Sequence, residues 1–283
     1  MPQCRAWASV RGDGTLSVHL HANRLMTSKR LRFSNASGIE LVGILDLPDD
    51  AAPRAMAVMT HCFTCHKNYK INRTIGRELC ALGIGLLRID LSGLGESGGR
   101  FAETNFTTGV ADIVAACEAV RSEGLPAPGL LIGHSLGGTM SLAAARDVPS
   151  CRAVAIINSP FDPGHLRHHF DVQMDTIMGQ GSAEIAIGGQ NYAITRQFIE
   201  DIQRHDMPAI LADLGRALLI LHAPDDRVVP MGNAGRIFST AKHPKSFVIL
   251  DRADHLLSGD GDAAYAGRMI GVWVERYIEG LGD

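Results

Sequence analysis

Serine, aspartate and histidine can together break an acyl bond, provided a fold brings one of each to a single point. Two serines stand in a G-x-S-x-G setting: Ser97 in Gly95-Glu-Ser-Gly-Gly99 and Ser135 in Gly133-His-Ser-Leu-Gly137. A serine hydroxyl is a weak nucleophile unless it is presented on a sharp strand-to-helix turn, with small neighbours that let strand and helix approach. "PGLLIGHSLGGTMSLAAA" has that form, an apolar run into the serine and an Ala-rich helix out of it. "RIDLSGLGESGGRFAETN" does not, because its strand ends near Asp90 and leaves Ser97 in a glycine-rich loop. Ser135 is the expected nucleophile and Ser97 the expected loop residue.

The base and its orienting acid are expected later in the chain, acid first, each just past the end of a strand. "ALLILH" is followed by "APDDRVVP", which offers Asp225 and Asp226, and "SFVILD" by "RADHLLSG", which offers His255. Of the twelve histidines, His255 alone is both last in order and directly after a strand end. His165, His168 and His169 in "GHLRHHF" read as exposed residues of an insertion or as its lining above the site. His134 reads as a packed or orienting residue.

A third chemical cluster, "MTHCFTCHKN" at residues 59–68, has several readings: haem attachment (C-x-x-C-H), a redox dithiol, half of a zinc site, or a loop whose contribution is its backbone. It follows an apolar strand and precedes a helix. In that position the loop donates one backbone N–H to an oxyanion hole, with the residue after the nucleophile donating the other. Phe63 and Leu136 are the expected donors, and the cysteines are expected to be incidental to that role. Haem is disfavoured because the first 25 residues lack the apolar core of an export signal. Zinc is disfavoured because Cys80, Cys117 and Cys151 are isolated. Redox-sensitive thiols remain an alternative.

These residues need elements to position them. Apolar runs at Leu31–Ser34, Glu40–Leu47, Met56–Thr60, Ile84–Ile89, Leu130–Ile132, Ala153–Ile157, Leu218–Leu221 and Phe247–Leu250 predict strands. Helical spacing predicts helices over Ile71–Leu82, Gly109–Ser122, Leu136–Ala145, Met231–Thr240 and Ala263–Ile278. This alternation implies an α/β fold with a mostly parallel sheet and helices on both faces. Residues 161–215 interrupt it and read as a cap insertion, with a hairpin in "AEIAIGGQNYAI" and a helix in "ITRQFIEDIQ". Residues 1–30 are expected to be an extension, disordered or an over-long start with initiation at Met26, and residues 31–283 the folded domain.

A net charge of −3 without a dense Lys/Arg block argues against nucleic-acid and anionic-membrane partners. No apolar run reaches the ~18 residues of a membrane span. Six cysteines in 283 residues are too few for a disulfide scaffold and are expected as cytosolic thiols, so a cytoplasmic location is expected.

From residue 31 to 280 the chain resembles the α/β-hydrolases, and more closely the hydrolase half of bacterial proteins in which such a domain is fused to an OsmC-like peroxide reductase. "HCFTC", "DLSGLGESGGRFAETNF", "GHSLGG", "HAPDDRVV", "AKHPKSFVILDRADHLL" and "VWVERYIEG" carry the resemblance. The more general hydrolase pattern has Gly where Cys62 stands, and the peroxidase activity is not carried over. The resemblance implies an eight-stranded sheet, a Ser–Asp–His triad and an acyl-type substrate. Its pattern of His, three residues, Asp, two residues and Val, counted from His222, selects Asp226 over Asp225 and closes on Val229. The expected function is therefore a serine hydrolase of the carboxylesterase type. It would cleave a small-molecule ester or related acyl bond through an acyl-enzyme, with Ser135, Asp226 and His255 and no cofactor or metal. Serine-aminopeptidase-like amide cleavage and a non-catalytic ligand-binding role are the alternatives.

Overall fold

The computed structural model describes residues 6–10, 16–20, 26–49 and 51–278. It opens with β1 (Ala6–Val10) and β2 (Leu16–Leu20), an antiparallel pair forming a two-stranded sheet of its own. The remainder of the expectation for residues 1–30 lies partly outside the described residues. The main body runs β3 (Met26–Ser34), β4 (Glu40–Pro48), β5 (Ala55–Thr60), α1 (Lys70–Ala81), β6 (Ile84–Ile89), α2 (Phe106–Ser122), β7 (Pro128–His134), α3 (Leu136–Ala144) and β8 (Ala153–Ile157). The inserted segment holds α4 (Met174–Gln180), β9 (Ser182–Ile187), β10 (Gln190–Thr195), α5 (Arg196–Ile202) and α6 (Met207–Ala212). The chain then completes the body with β11 (Ala217–His222), α7 (Gly232–Thr240), β12 (Lys245–Ile249) and α8 (Asp262–Ile278).

Eight strands form one sheet in the order β12-β11-β8-β7-β5-β6-β4-β3. The β3–β4 and β4–β6 pairs are antiparallel and the remaining pairs parallel. The central strands β5, β6, β7, β8 and β11 are buried along their whole length. That is why they read as continuous apolar runs rather than alternating ones: helices cover both faces of a parallel sheet. Ile71, Ile75 and Leu79 of α1 pack with Ala266, Ile270 and Val274 of α8 on one face. Phe106 and Ile113 of α2 pack with Leu142 of α3 in the apolar cluster of the other.

Where elements differ from the sequence expectation, the cause is local. The strand expected from Leu31 begins at Met26, because pairing with β4 extends it through residues that are not apolar, from Thr27 to Arg30. The helix expected from Gly109 begins at Phe106. Asn105 accepts the Thr108 amide at 2.9 Å while the Thr108 hydroxyl accepts the Asn105 amide at 2.8 Å, a reciprocal cap that starts the helix early. The insertion has the hairpin foreseen for it. β9 and β10 pair through Gly188 and Gly189, both at positive φ (59° and 83°), as a two-residue turn demands. Its buried Phe170, Ile177, Ile185, Ile194 and Phe198 join the same apolar cluster as α2 and α3, so the cap is anchored to the body. Among the described residues no helix is long and apolar enough to cross a membrane.

One buried polar network ties the antiparallel edge to the loop after β5. Arg88 of β6 donates to both carboxylate oxygens of Asp46 on β4, at 2.5 and 3.1 Å, and to the Lys67 carbonyl at 2.7 Å. The Lys67 ammonium, 1% exposed, meets Asp90 at 2.5 Å and Glu96 at 2.5 Å. Removing one partner of such a pair leaves a charge with no solvent and no counterion, typically at about 3–5 kcal/mol. Arg88→Met should therefore lower unfolding stability by about that amount. The comparison is of urea midpoints, and a midpoint equal to that of the parent would show that Ser28, which also bonds Asp46, suffices.

Candidate active site

β7 lies between β5 and β8 and runs straight into Ser135, whose backbone sits at φ 54°, ψ −127°. This is a region that L-residues occupy only under constraint. The constraint is visible on every side. The Ser135 amide donates to Ile157 at the end of β8 at 2.8 Å, and α3 leaves at the next residue. A Cβ on Gly133 would overlap the Gly137 carbonyl, and one on Gly138 would overlap the Ser159 hydroxyl. A Cβ on Gly137 would lie 2.6 Å from the Thr60 carbonyl. The glycines thus let β7, α3 and the end of β5 close on one another. Ser97 is placed differently: its hydroxyl donates to the Asp90 carbonyl at 2.7 Å and accepts the Val42 amide at 2.9 Å, tying its loop to β4.

His255 follows β12 and Asp226 follows β11. His255 Nδ1 donates to Asp226 Oδ2 at 2.7 Å, leaving Nε2 as the nitrogen able to take a proton. Asp226 Oδ1 accepts the Val228 and Val229 amides at 2.7 and 2.9 Å. Burial acts to raise the Asp226 carboxyl, but the His255 hydrogen bond and these amides outweigh it and hold it below the ordinary carboxylate range. Ser135 and His255 line one cavity of about 740 Å³. Asp225 lines it as well but is exposed, and among the described residues Asp226 is the carboxylate hydrogen-bonded to His255. His165 and His169 line the cavity from the cap, His165 donating to the Val228 carbonyl at 2.9 Å, while His168 is exposed.

Phe63 reaches the cavity from the loop after β5. The preceding carbonyl, that of Cys62, accepts His61 Nδ1–H at 2.7 Å and the Cys65 amide at 3.1 Å. The Leu91 amide donates to His61 Nε2 at 3.3 Å, which fixes the His61 tautomer. A peptide is planar and trans, so holding the Cys62 oxygen aims the Phe63 N–H the opposite way. Leu136 is the first residue of α3, and its N–H is one of the helix's orphan donors. One expectation is corrected here. Cys62 and Cys65, expected as thiols, are joined by a disulfide, because the turn between them brings their Cα atoms to 5.3 Å. Cys80, Cys117 and Cys151 are free and buried.

One residue that braces the His255 loop went unrecognised in the sequence. Asn158, next after β8, accepts the Ala223 amide at 2.8 Å and donates to the carbonyls of His255 and Asp254 at 3.0 and 3.2 Å. Its place directly after a strand end was the available signal. His134, expected as a packed or orienting residue, donates Nε2–H to the His255 carbonyl at 2.7 Å, a target that its place in the sequence does not reveal. Burial and the neighbouring His255 push the His134 pKa down to about 3. Its folded value lies below the unfolded one of about 6.5, so the unfolded chain binds the proton first and stability falls with pH across that interval. Burial lowers His61 and His222 in the same direction. The thermal midpoint should therefore drop between pH 7 and pH 4, and His134→Gln should flatten that slope. Parallel slopes for the two proteins would remove His134 from the account.

The family described as serine aminopeptidase, S33, matches residues 51–196, just over half of the 283 residues. The crystal structure of the esterase domain of a Rhodothermus marinus protein is 42% identical, with a TM-score of 0.74 over 89% of this chain and 100% of that one. Palmitoyl-protein thioesterase ABHD10, mitochondrial, of Rattus norvegicus is 27% identical over 194 residues, 65% of this chain. The chain spans about 64% of the length of that relative. The structure of mouse alpha/beta hydrolase domain-containing protein 10 shares the fold, with a TM-score of 0.71 at 17% identity over 88% of this chain and 99% of that one. With the eight-stranded sheet and the family match in agreement, the chain belongs to the serine aminopeptidase, S33, family of the α/β-hydrolase superfamily.

Proposed function

We propose that this serine hydrolase cleaves a small carboxylic ester through an acyl-enzyme formed on Ser135. The observation that carries the reading is the His255–Asp226 hydrogen bond of 2.7 Å on a cavity that Ser135, held at φ 54°, also lines. Ser135 Oγ attacks the ester carbonyl while His255 Nε2 takes its proton, and Asp226 stabilises the imidazolium that forms. The Phe63 and Leu136 amides bind the oxyanion of the tetrahedral intermediate. The imidazolium protonates the departing alkoxide, leaving the acyl group on Ser135. His255 then deprotonates a water that attacks the acyl carbon, releases the carboxylic acid and restores the serine. These steps use side chains, backbone amides and water alone. Leu166, Ile187, Val228 and Leu256 give the cavity an apolar wall suited to an acyl group.

Ester cleavage is favoured by the 42% identity to an esterase domain. The rat thioesterase relative and the family's aminopeptidase description favour, respectively, a thioester and an aminoacyl amide as second substrates. Comparing kcat/KM for p-nitrophenyl esters, acyl thioesters and aminoacyl arylamides separates the three, and the ester series should be fastest.

Ser135→Ala should abolish fluorophosphonate labelling and lower kcat by about 10⁴–10⁶, whereas Ser97→Ala should keep its labelling. Labelling that persists in Ser135→Ala would overturn the nucleophile assignment. Asp226→Asn should lower kcat by about 10⁴, since an amide favours the wrong imidazole tautomer. Asp225→Asn should cost less than about tenfold. The reverse ranking, in variants shown to be folded by circular dichroism, would move the acid to Asp225.

A further inference from the structure

The disulfide between Cys62 and Cys65 encloses the residue proposed to supply one oxyanion donor. Residues 62–65 form a four-residue turn closed by the Cys65 amide on the Cys62 carbonyl at 3.1 Å. Its third residue, Thr64, stands at φ 59°. Turns with positive φ at that position call for Gly or Asn, and a β-branched residue there is strained. The turn is therefore a poor choice for its own sequence. The bond between its first and last residues, with weaker braces from the Thr64 hydroxyl to the Phe63 carbonyl (2.7 Å) and from Tyr192 to the Thr64 carbonyl (3.3 Å), holds it.

What the turn fixes is the peptide plane that matters. The Cys62 carbonyl accepts from both His61 and Cys65, and through it the Phe63 N–H is aimed. The Phe63 ring is held separately, with centroids 5.6, 5.8 and 6.1 Å from those of Phe198, Phe101 and Phe170. That packing secures the side chain without setting the tilt of the amide. Both cysteines, each 7% exposed, line the cavity that contains Ser135 and His255, and that cavity is the route a small dithiol would take to them.

We propose that Cys62 and Cys65 are a positioning pair whose disulfide orients the Phe63 amide, so that turnover depends on their redox state. This rests on the Ser135 acyl-enzyme reading and adds to it a redox-sensitive element. Reduction breaks the Sγ–Sγ bond and forms two thiols. The two electrons and two protons come from a dithiol that leaves as its own cyclic disulfide. Once released, Thr64 relaxes toward negative φ, the Cys62 carbonyl loses the Cys65 amide, and the Phe63 N–H tilts from the oxyanion. Removing an oxyanion donor outright costs about 10²–10³ in kcat, and loosening one should cost about tenfold.

The test starts from protein oxidised with a small cyclic disulfide and assayed on a p-nitrophenyl ester before and after excess dithiol. Differential alkylation with peptide mass analysis reads the state of Cys62 and Cys65. The expected result is a fall in kcat of about tenfold with KM within about twofold, reversed on reoxidation. Cys62→Ser combined with Cys65→Ser should sit at the lower kcat and ignore dithiol; if that variant fails to fold, the wild-type arm decides alone. Ser135-dependent turnover that survives alkylation-verified reduction unchanged overturns the disulfide proposal only. So does a pair that never oxidises, or a loss that falls on KM. Absence of Ser135-dependent turnover in the oxidised protein overturns the acyl-enzyme reading, and this proposal with it.

Discussion

The strained backbone of Ser135 is the constraint from which the rest of the site follows. A non-glycine residue in that region costs about 1–3 kcal/mol and persists only where its surroundings over-determine it. Here they do: Ser135 stands at the end of a fully buried central strand, is bonded to the end of β8, and is followed at once by α3. The three glycines at 133, 137 and 138 are required because α3 starts against the strand that delivers it. Side chains there would push the helix away from β7, the end of β5 and Ser159, and the Leu136 amide with it. The placement of the serine proposed as nucleophile and the orientation of the Leu136 amide therefore have one common cause.

The other components are held by stitching strand ends together. Asn158 follows β8, bonds the residue after β11 through its carbonyl oxygen, and bonds the His255 loop after β12 through its amide. His134 reaches the same His255 carbonyl from the end of β7. His222, the last residue of β11, donates to the Val229 carbonyl at 2.8 Å while the Val229 amide bonds Asp226. Three neighbouring strands thus fix the loops that carry Asp226 and His255, and the parallel sheet sets their separation. Buried hydrogen bonds of this kind add little net stability individually but are costly to leave unmade, so they specify one arrangement of the loops.

Much of this was legible in the sequence because it is local or positional. The elbow at Ser135 is written in consecutive residues, and the order of parallel strands predicts that acid and base follow later strand ends. The expectation of Asp226 over Asp225 rested on the spacing to Val229, and in the structure the Val228 and Val229 amides bond the Asp226 carboxylate. What was not legible is what depends on partners far apart in the chain. Asn158 looks like any polar residue after a strand, and its role needs residues 65 and 97 positions away. The early start of β3 follows from pairing with β4, not from its own composition. The Cys62–Cys65 bond was misjudged because the whole-chain cysteine count says nothing of one turn's geometry.

Phe63 joins two parts of the molecule that the sequence presents as unrelated. Phe63 lines the cavity, and its ring packs among Phe101 from the loop after β6 and Phe170 and Phe198 from the cap. Tyr192 of the cap hairpin packs at a tilt against Phe101, with centroids 4.8 Å apart, and bonds the Thr64 carbonyl next to Phe63. The cap therefore contributes to the loop after β5 as well as to the cavity wall. Such aromatic contacts are worth about 0.5–1.5 kcal/mol each beyond the area they bury. A cap that shifted to admit a bulky acyl group would disturb the rings around Phe63 and strain the Tyr192 bond to the Thr64 carbonyl. The cap and the loop after β5 are thus joined by aromatic packing and one hydrogen bond, so neither can shift without the other.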